Sequence, residues 1–161
     1  MKAIFKDKSI SFEFPYVAYS GERNHYPTSL LESAVRAILA DAGVSQNIFS
    51  NRPKAITPTV NDFVVCNLQG NTEDMAAYGE SELYVALFVH DAAGYKNGVK
   101  LDMMQSKAMG AMPFGLAIYD DQNHKVAEYE IDDNPSVMGD AADDYDFHAR
   151  MILFDITTKV L

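Results

Sequence analysis

The order of the apolar patterns along the chain constrains its fold more than any other feature. An amphipathic helix is predicted over residues 30–42, and strands, a second helix and further strands follow it to the C-terminus. Strands and helices in this arrangement are typical of an α+β domain. The 161 residues suffice for one core, but a second independent core is not expected. We therefore predict a single α+β domain over residues 1–161.

The first helix has the clearest local signals. Ser29 and Glu32 have the spacing of a capping box, which predicts that the helix starts here. Gly43 can adopt the left-handed conformation that ends a helix. Between these signals one apolar stripe follows the helical repeat, and it contains Leu30, Leu31, Ala34, Val35, Ile38 and Leu39.

Several segments have the patterns of strands. Residues 10–16 alternate apolar and polar side chains and are expected to pair with residues 3–5 through Asp7-Lys8, so residues 1–27 form an N-terminal β-hairpin and a loop. Residues 63–68 and 82–90 read as further strands. The second of these is apolar on both faces, which favours a central position in the sheet.

The second half of the chain contains the other helix and the closing strands. Residues 99–112 are predicted to be helical up to Pro113, and residues 116–119 and 126–131 are expected to form a hairpin. The acidic stretch from Asp132 to Asp146 reads as a solvated loop that leads to a last strand over residues 145–160.

Charge and composition exclude several classes of function. The net charge is −10 and no run of lysine or arginine offsets it, so sequence-specific binding of nucleic acid is not expected. The start of the chain lacks the continuous apolar segment of a signal peptide, and residues 83–89 are too few to span a bilayer. Cys66 is the only cysteine, which fits an intracellular protein without disulfides.

The ionisable residues form no recognised catalytic or metal-binding motif. The histidines are scattered, and we interpret them as hydrogen-bonded residues of the sheet; they are His25, His90, His124 and His148. The acidic stretch lacks the turn glycine and closing glutamate of an EF-hand, although a cation site and a charged contact surface are open alternatives. A nucleophile built from Cys66 and a histidine is disfavoured by the predicted burial of the thiol. We predict no enzyme, no cofactor and no metal site.

Two features are candidates for contact with another molecule. The second helix carries four methionines, whose flexible side chains suit either core packing or a subunit interface; they are Met103, Met104, Met109 and Met112. Arg52, like Arg23, is a positive point on an acidic protein that either remains solvated or pairs with carboxylates of a neighbouring copy.

The element order resembles that of the tail terminator and tail completion proteins of long-tailed bacteriophages. The resemblance runs from about Ser29 to Leu161 and rests on the leading helix through Val44, Ile48-Phe49, Arg52-Pro53, the strands 63–68 and 82–90, the helix 101–112 and the closing strand 147–156. The N-terminal hairpin and residues 120–144 are additions to the family's minimal pattern.

The resemblance implies a mixed or antiparallel sheet with both helices on one face. It also implies a homo-oligomeric ring, usually a hexamer, that caps the tail tube and joins it to the head connector without catalysis. Such a protein would assemble in the host cytoplasm and then belong to the virion tail. An alternative from a different class is a small bacterial α+β domain that binds a ligand or a partner in a pocket between sheet and helices.

Overall fold

The computed structural model of the protein describes residues 1–7, 10–14, 28–50, 60–69, 78–143 and 145–159. These residues form two helices, α1 (Thr28–Asp41) and α2 (Gly98–Ala111). The strands are β1 (Lys2–Phe5), β2 (Ser11–Glu13), β3 (Ile48–Phe49), β4 (Asp62–Gln69), β5 (Tyr78–His90), β6 (Gly115–Tyr119), β7 (Lys125–Ile131), β8 (Ser136–Asp143) and β9 (Phe147–Lys159).

One sheet contains all nine strands. Its order is β2-β1-β6-β7-β9-β5-β4-β3, and β8 adds to β9 beside β7. The short β3 runs parallel to β4, whereas every other pair is antiparallel, so the sheet is mixed. The long pair β5–β9 lies at its centre, as the sequence predicted for residues 82–90. The α+β class is confirmed, but the sheet is larger than expected, because β1 pairs with β6 and thereby joins the N-terminal hairpin to it.

Both helices lie on one side of the sheet, which we call the helix face. α1 packs on β4 and α2 packs on β5, and the two helices also contact each other. Alternation along the strands points Val64, Val85 and Ile152 toward the helices, where all three are fully buried. The apolar stripe predicted for the first helix is the part of α1 that enters this core.

The ends of α1 differ in part from the sequence prediction. Gly43 has a φ of 67°, and Val44 N–H donates to the carbonyl of Leu39, so the helix ends as predicted. At the other end the helix already includes Thr28, and the carboxylate of Glu32 accepts the backbone N–H of Leu68 at 2.8 Å. Glu32 therefore ties α1 to β4 instead of closing a capping box.

The predicted solvated loop from Asp132 to Asp146 is wrong over most of its length. Residues 136–143 form β8, which pairs with the first half of β9 and has a register shift between Met138 and Ala141. Most of β8 is exposed, so its sequence lacks the alternation of a half-buried strand. Backbone pairing with β9 determines its conformation.

The sheet has a second side, which we call the back face. Phe63 and Phe147 are buried there, and Phe63 stacks on Phe88 with ring centroids 4.3 Å apart. Phe147 meets Phe63 edge-on at 5.4 Å. These rings form a small apolar cluster on the side of the central strands opposite α1 and α2.

Several predictions fall outside the described residues. They concern His25, Arg23, Arg52-Pro53, the loop at residues 20–27, and residues 70–77 of the loop expected before β5. Neither described helix is long and apolar enough to cross a membrane.

Candidate interaction surface

The outward side of α2 carries no charged residue along its centre. Val99, Met103, Ser106 and Gly110 follow one another at helical spacing on the side opposite the buried Leu101, Met104 and Ala108. Val99 is 74% exposed and Met103 is 56% exposed. A helix that covers a core in this way normally presents charged or polar residues to water. This row of four residues, the outer stripe of α2, is therefore a candidate contact surface.

The four methionines separate into two pairs. Met104 and Met112 are buried in the core beneath α2, whereas Met103 and Met109 are exposed. Of these two, only Met103 belongs to the outer stripe, whereas Met109 lies beside Gln105 on the flank of α2; the other two methionines serve packing within the subunit. Arg52, the remaining predicted contact residue, lies outside the described residues.

Two lysines border the outer stripe on one side. The ammonium of Lys100 lies 2.5 Å from the carboxylate of Asp62, so its charge is compensated. Lys107 donates to the backbone carbonyl of Gly43 at 3.1 Å, and no carboxylate of the described residues forms an ion pair with it. Among the described residues, Lys107 is thus a positive charge without a carboxylate partner on a chain that is acidic overall.

On its other side α2 is joined to β8 through Arg150 of β9. The Arg150 guanidinium forms two hydrogen bonds with Asp140, at 2.6 and 3.0 Å. It also donates to Asp102 at 2.5 Å and to Gln105 at 2.8 Å, both on α2. Lys96 approaches the same Asp140 carboxylate at 2.8 Å. This Arg150 network connects β8, β9 and α2.

The Arg150 network alters the acidity of its members. The hydrogen bonds from Arg150, followed by that from Lys96, hold the pKa of Asp140 well below its ordinary value. The same contact with Asp140 raises the pKa of Arg150. Sequence reasoning did not single out Arg150, although a long cation directly before the apolar run of residues 151–154 was a signal for a buried ion pair.

The back face next to β8 is also apolar and partly accessible. Met138, on β8, is 54% exposed and pairs in register with Met151 of β9. One row further along the sheet, Leu153 and Tyr84 are paired and half-buried. We call these four residues the back-face patch.

Two exposed carboxylates border the back-face patch. Glu82 and Asp155 lie directly opposite each other on β5 and β9 and project from the same face. Glu82 accepts the phenolic hydroxyl of Tyr84 at 2.6 Å, a bond that raises the pKa of Tyr84. Within the described part of the chain no cation forms an ion pair with either carboxylate. Like charges in directly opposed positions destabilise a sheet, so this pair favours an external cation.

Three histidines lie in the described part of the chain, and each is hydrogen-bonded at a strand end or a turn. His148 lies 2.6 Å from the carboxylate of Asp91, and His90 lies 2.9 Å from the carbonyl of the same residue. His124 contacts Asp120 in a turn. Among the residues that the structure describes, no three histidine, cysteine or acidic side chains are grouped as metal ligands.

Cys66 is buried in the core. It is fully buried on the helix face of β4, and burial raises the pKa of its thiol to about 12. A thiol in this state remains protonated at neutral pH and is a poor nucleophile.

A cleft of about 1000 Å³ opens between the end of α1 and α2. Ser45 donates to the carboxylate of Asp62 at 2.5 Å, and Asn47 donates to the carbonyl of the same residue at 3.2 Å. Lys100, Met103 and Lys107 of α2 also line the cleft. The cleft therefore combines the Lys100–Asp62 ion pair with the ammonium of Lys107.

Comparison with known proteins shows a similar fold in a solved structure but assigns the chain to no family. No family model matches the chain, and no curated protein matches it either. A solved structure known by a sequence identifier alone is similar, with a TM-score of 0.58 at 12% identity, over 83% of this chain and 96% of that one. At this identity the similarity concerns the fold alone.

Proposed function

We propose that the protein is a non-enzymatic structural subunit of a phage or prophage tail, which forms a ring that caps the tail tube and joins it to the head connector. The observation that carries the proposal is the outer stripe of α2, where Val99 is 74% and Met103 is 56% exposed. Exposed apolar rows on a helix that already covers the core suit burial against another subunit.

The element order behind the resemblance supports the same proposal. α1, β4, β5, α2 and β9 follow one another at the positions that the sequence predicted, and both helices lie on one face of the sheet. This support is architectural, since one fold serves many functions.

The proposed mechanism is physical. When each subunit uses one surface to bind a different surface of the next, the contacts are heterologous and close into a ring if the rotation fits. A closed ring leaves no free interface in its own plane, and its free axial face would bind the head connector in place of another tube ring, so growth of the tube would end there. Since the chain carries a net charge of −10, an acidic ring would let DNA pass without retaining it.

Size exclusion with light scattering, followed by negative-stain imaging, tests the proposal. The purified protein is expected to form rings at micromolar concentration, alone or with its tube protein. Met103→Glu should raise the concentration needed for assembly by more than about tenfold, because a buried carboxylate without a partner is costly. Val126→Glu is the matched control, since Val126 is 37% exposed on β7, away from α2. A monomer at every concentration, with and without the tube, would refute the proposal.

The cleft beside α2 favours a second candidate function, a ligand-binding domain. Its lining contains Lys107, which forms no ion pair with a described carboxylate, and the hydrogen-bonding side chains of Ser45 and Asn47, so it suits a small polar molecule that carries one carboxylate or phosphate group. Native mass spectrometry of the purified protein distinguishes the two functions. A bound small molecule that Lys107→Ala releases would favour the ligand-binding function, and an unliganded mass would count against it.

A further inference from the structure

We propose that the outer stripe of α2 on one copy packs against the back-face patch of the next copy, with Lys107 placed on Glu82 and Asp155. The inference rests on the proposed ring and specifies its two contact surfaces. It commits to a second copy of this chain as the partner of α2.

The first argument is that both surfaces are apolar and accessible. The outer stripe offers Val99 and Met103, and its small residues Ser106 and Gly110 permit close approach. A Cβ added at Gly110 would meet no atom within 4 Å, so this end of the stripe is open. On the other surface Met138 is 54% exposed beside the half-buried Met151.

The second argument is charge complementarity. Lys107 has no carboxylate partner among the described residues, and Glu82 and Asp155 have no cation partner there. The opposed carboxylates repel each other within one subunit, and a lysine from outside would relieve that repulsion. Each surface therefore carries the charge that the other one needs.

The third argument is dimensional. The outer stripe spans roughly 16 Å at a rise of 1.5 Å per residue. From the row of Met138 and Met151 to the row of Glu82 and Asp155 the sheet extends four residues, or about 13 Å. Lys107 follows Met103 by one helical turn. When Met103 lies over the patch and the C-terminal end of α2 runs toward the row of Glu82 and Asp155, Lys107 comes within reach of both carboxylates, and the proposed contact therefore has this orientation.

The two surfaces also lie on opposite sides of the subunit. α2 covers the helix face, whereas Met138 shares the back face with Met151. A contact between opposite sides cannot be satisfied mutually by two copies, so each copy must bind a third. The proposed contact is therefore heterologous, as a ring requires.

Cysteine cross-linking tests the inference, because the native Cys66 is fully buried and supplies an unreactive background. Met103→Cys and Met138→Cys are prepared separately and mixed before mild oxidation. The mixture is expected to give a cross-linked dimer, while neither variant alone does. A chain with both substitutions should give a ladder of higher oligomers. Val126→Cys replaces Met138→Cys as the control, since Val126 is exposed on the same face outside the patch.

Each outcome separates the inference from the proposed function. Rings that form without the mixed cross-link would overturn the contact but leave the ring intact. Cross-linking of Met103→Cys to itself would indicate a mutual contact between helices and would also overturn it. A protein that stays monomeric, both alone and with its tube protein, would refute the proposed contact and the proposed ring together.

A charge exchange gives an independent measurement. Lys107→Glu is expected to raise the concentration for half-assembly by about two- to fivefold, as for one exposed ion pair. Adding Glu82→Lys to that variant should restore assembly, since every copy then carries the exchanged pair. Failure of the double variant to recover would contradict the proposed pairing.

Discussion

Arg150, on β9, connects three elements of the described structure, since its partners lie on β8 and α2. Its side chain is 13% exposed, and the guanidinium is bonded to Asp140 on β8 and to Asp102 and Gln105 on α2. The double hydrogen bond with Asp140 requires the planar fork of arginine, which a lysine ammonium does not have. Arg150 therefore fixes the position of β8 as well as contributing to stability.

Arg150→Ala should lower the free energy of unfolding by about 2 kcal/mol, because it leaves the partly buried Asp140 carboxylate without its main partner. Urea unfolding followed by circular dichroism measures the change. Arg150→Lys should recover only part of it. An alanine variant that unfolds at the wild-type urea concentration would show that the network contributes nothing to stability.

The lowered pKa of Asp140 implies that the free energy of unfolding depends on pH. Its pKa is lowered in the folded protein by Arg150 and then Lys96, so its contribution is present above the ordinary aspartate pKa of about 4. That contribution is lost as the pH falls through the lowered value. The stability difference between wild type and Asp140→Asn should thus shrink steadily from about pH 5 to pH 2, as measured by urea unfolding at each pH. A difference that stays constant would contradict the assignment.

Glu128 should add to the same acid sensitivity. Hydrogen bonds from Lys125 and then Lys6 lower the pKa of Glu128 to about 2. Its stabilising contribution is likewise present above the ordinary glutamate pKa and is lost as the pH falls toward 2. The Asp140→Asn variant should therefore still lose stability in acid, and only the part due to Asp140 should be missing.

At the scale of elements, α2 depends on a cap that the sequence pattern did not reveal. The side chain of Asn97 accepts the backbone N–H of Lys100 at 3.2 Å and satisfies one free donor of the first turn. Asn97→Ala should lower the free energy of unfolding by about 1 kcal/mol. Asn97→Asp should keep most of the stability of the wild type, because aspartate also caps helices. Thermal and urea unfolding of the two variants provide the comparison, and equal stability would contradict the capping role.

Elements that bury one side against the core were predictable from the sequence. The strand β8, which is held only by backbone pairing with β9, was missed. α1 and α2 carry buried stripes, so their bounds were recovered to within two residues of the structure. β8 has Gly139 in its middle and is exposed on both faces, so nothing local marked it as a strand. Glu32 matched a capping box in spacing, yet it bonds Leu68, which lies 36 residues away in the chain.

The candidate surface was predictable only in part, for a related reason. The four methionines of the predicted second helix indicated either core packing or a subunit interface. In the structure Met104 points into the core, whereas Met103 points outward. The back-face patch could not be predicted, because it brings β5, β8 and β9 together through register. A side chain's face in a strand depends on that register.

For the whole molecule, the net charge of −10 sets the conditions under which copies can associate. At about 0.01 M salt the screening length is roughly 30 Å, so entire subunits repel each other, whereas at 0.15 M it is about 8 Å. The proposed pairing of Lys107 with two carboxylates would act in the opposite sense, but one exposed pair contributes only about 0–1 kcal/mol. Repulsion between subunits should therefore dominate, and the concentration for half-assembly should fall as salt rises from 0.01 to 0.15 M.

Light scattering across a salt series measures the concentration for half-assembly, with Lys107→Glu as the comparison. Weaker assembly of the wild type at higher salt would show that local ion pairs, and not the apolar stripe, hold the ring together.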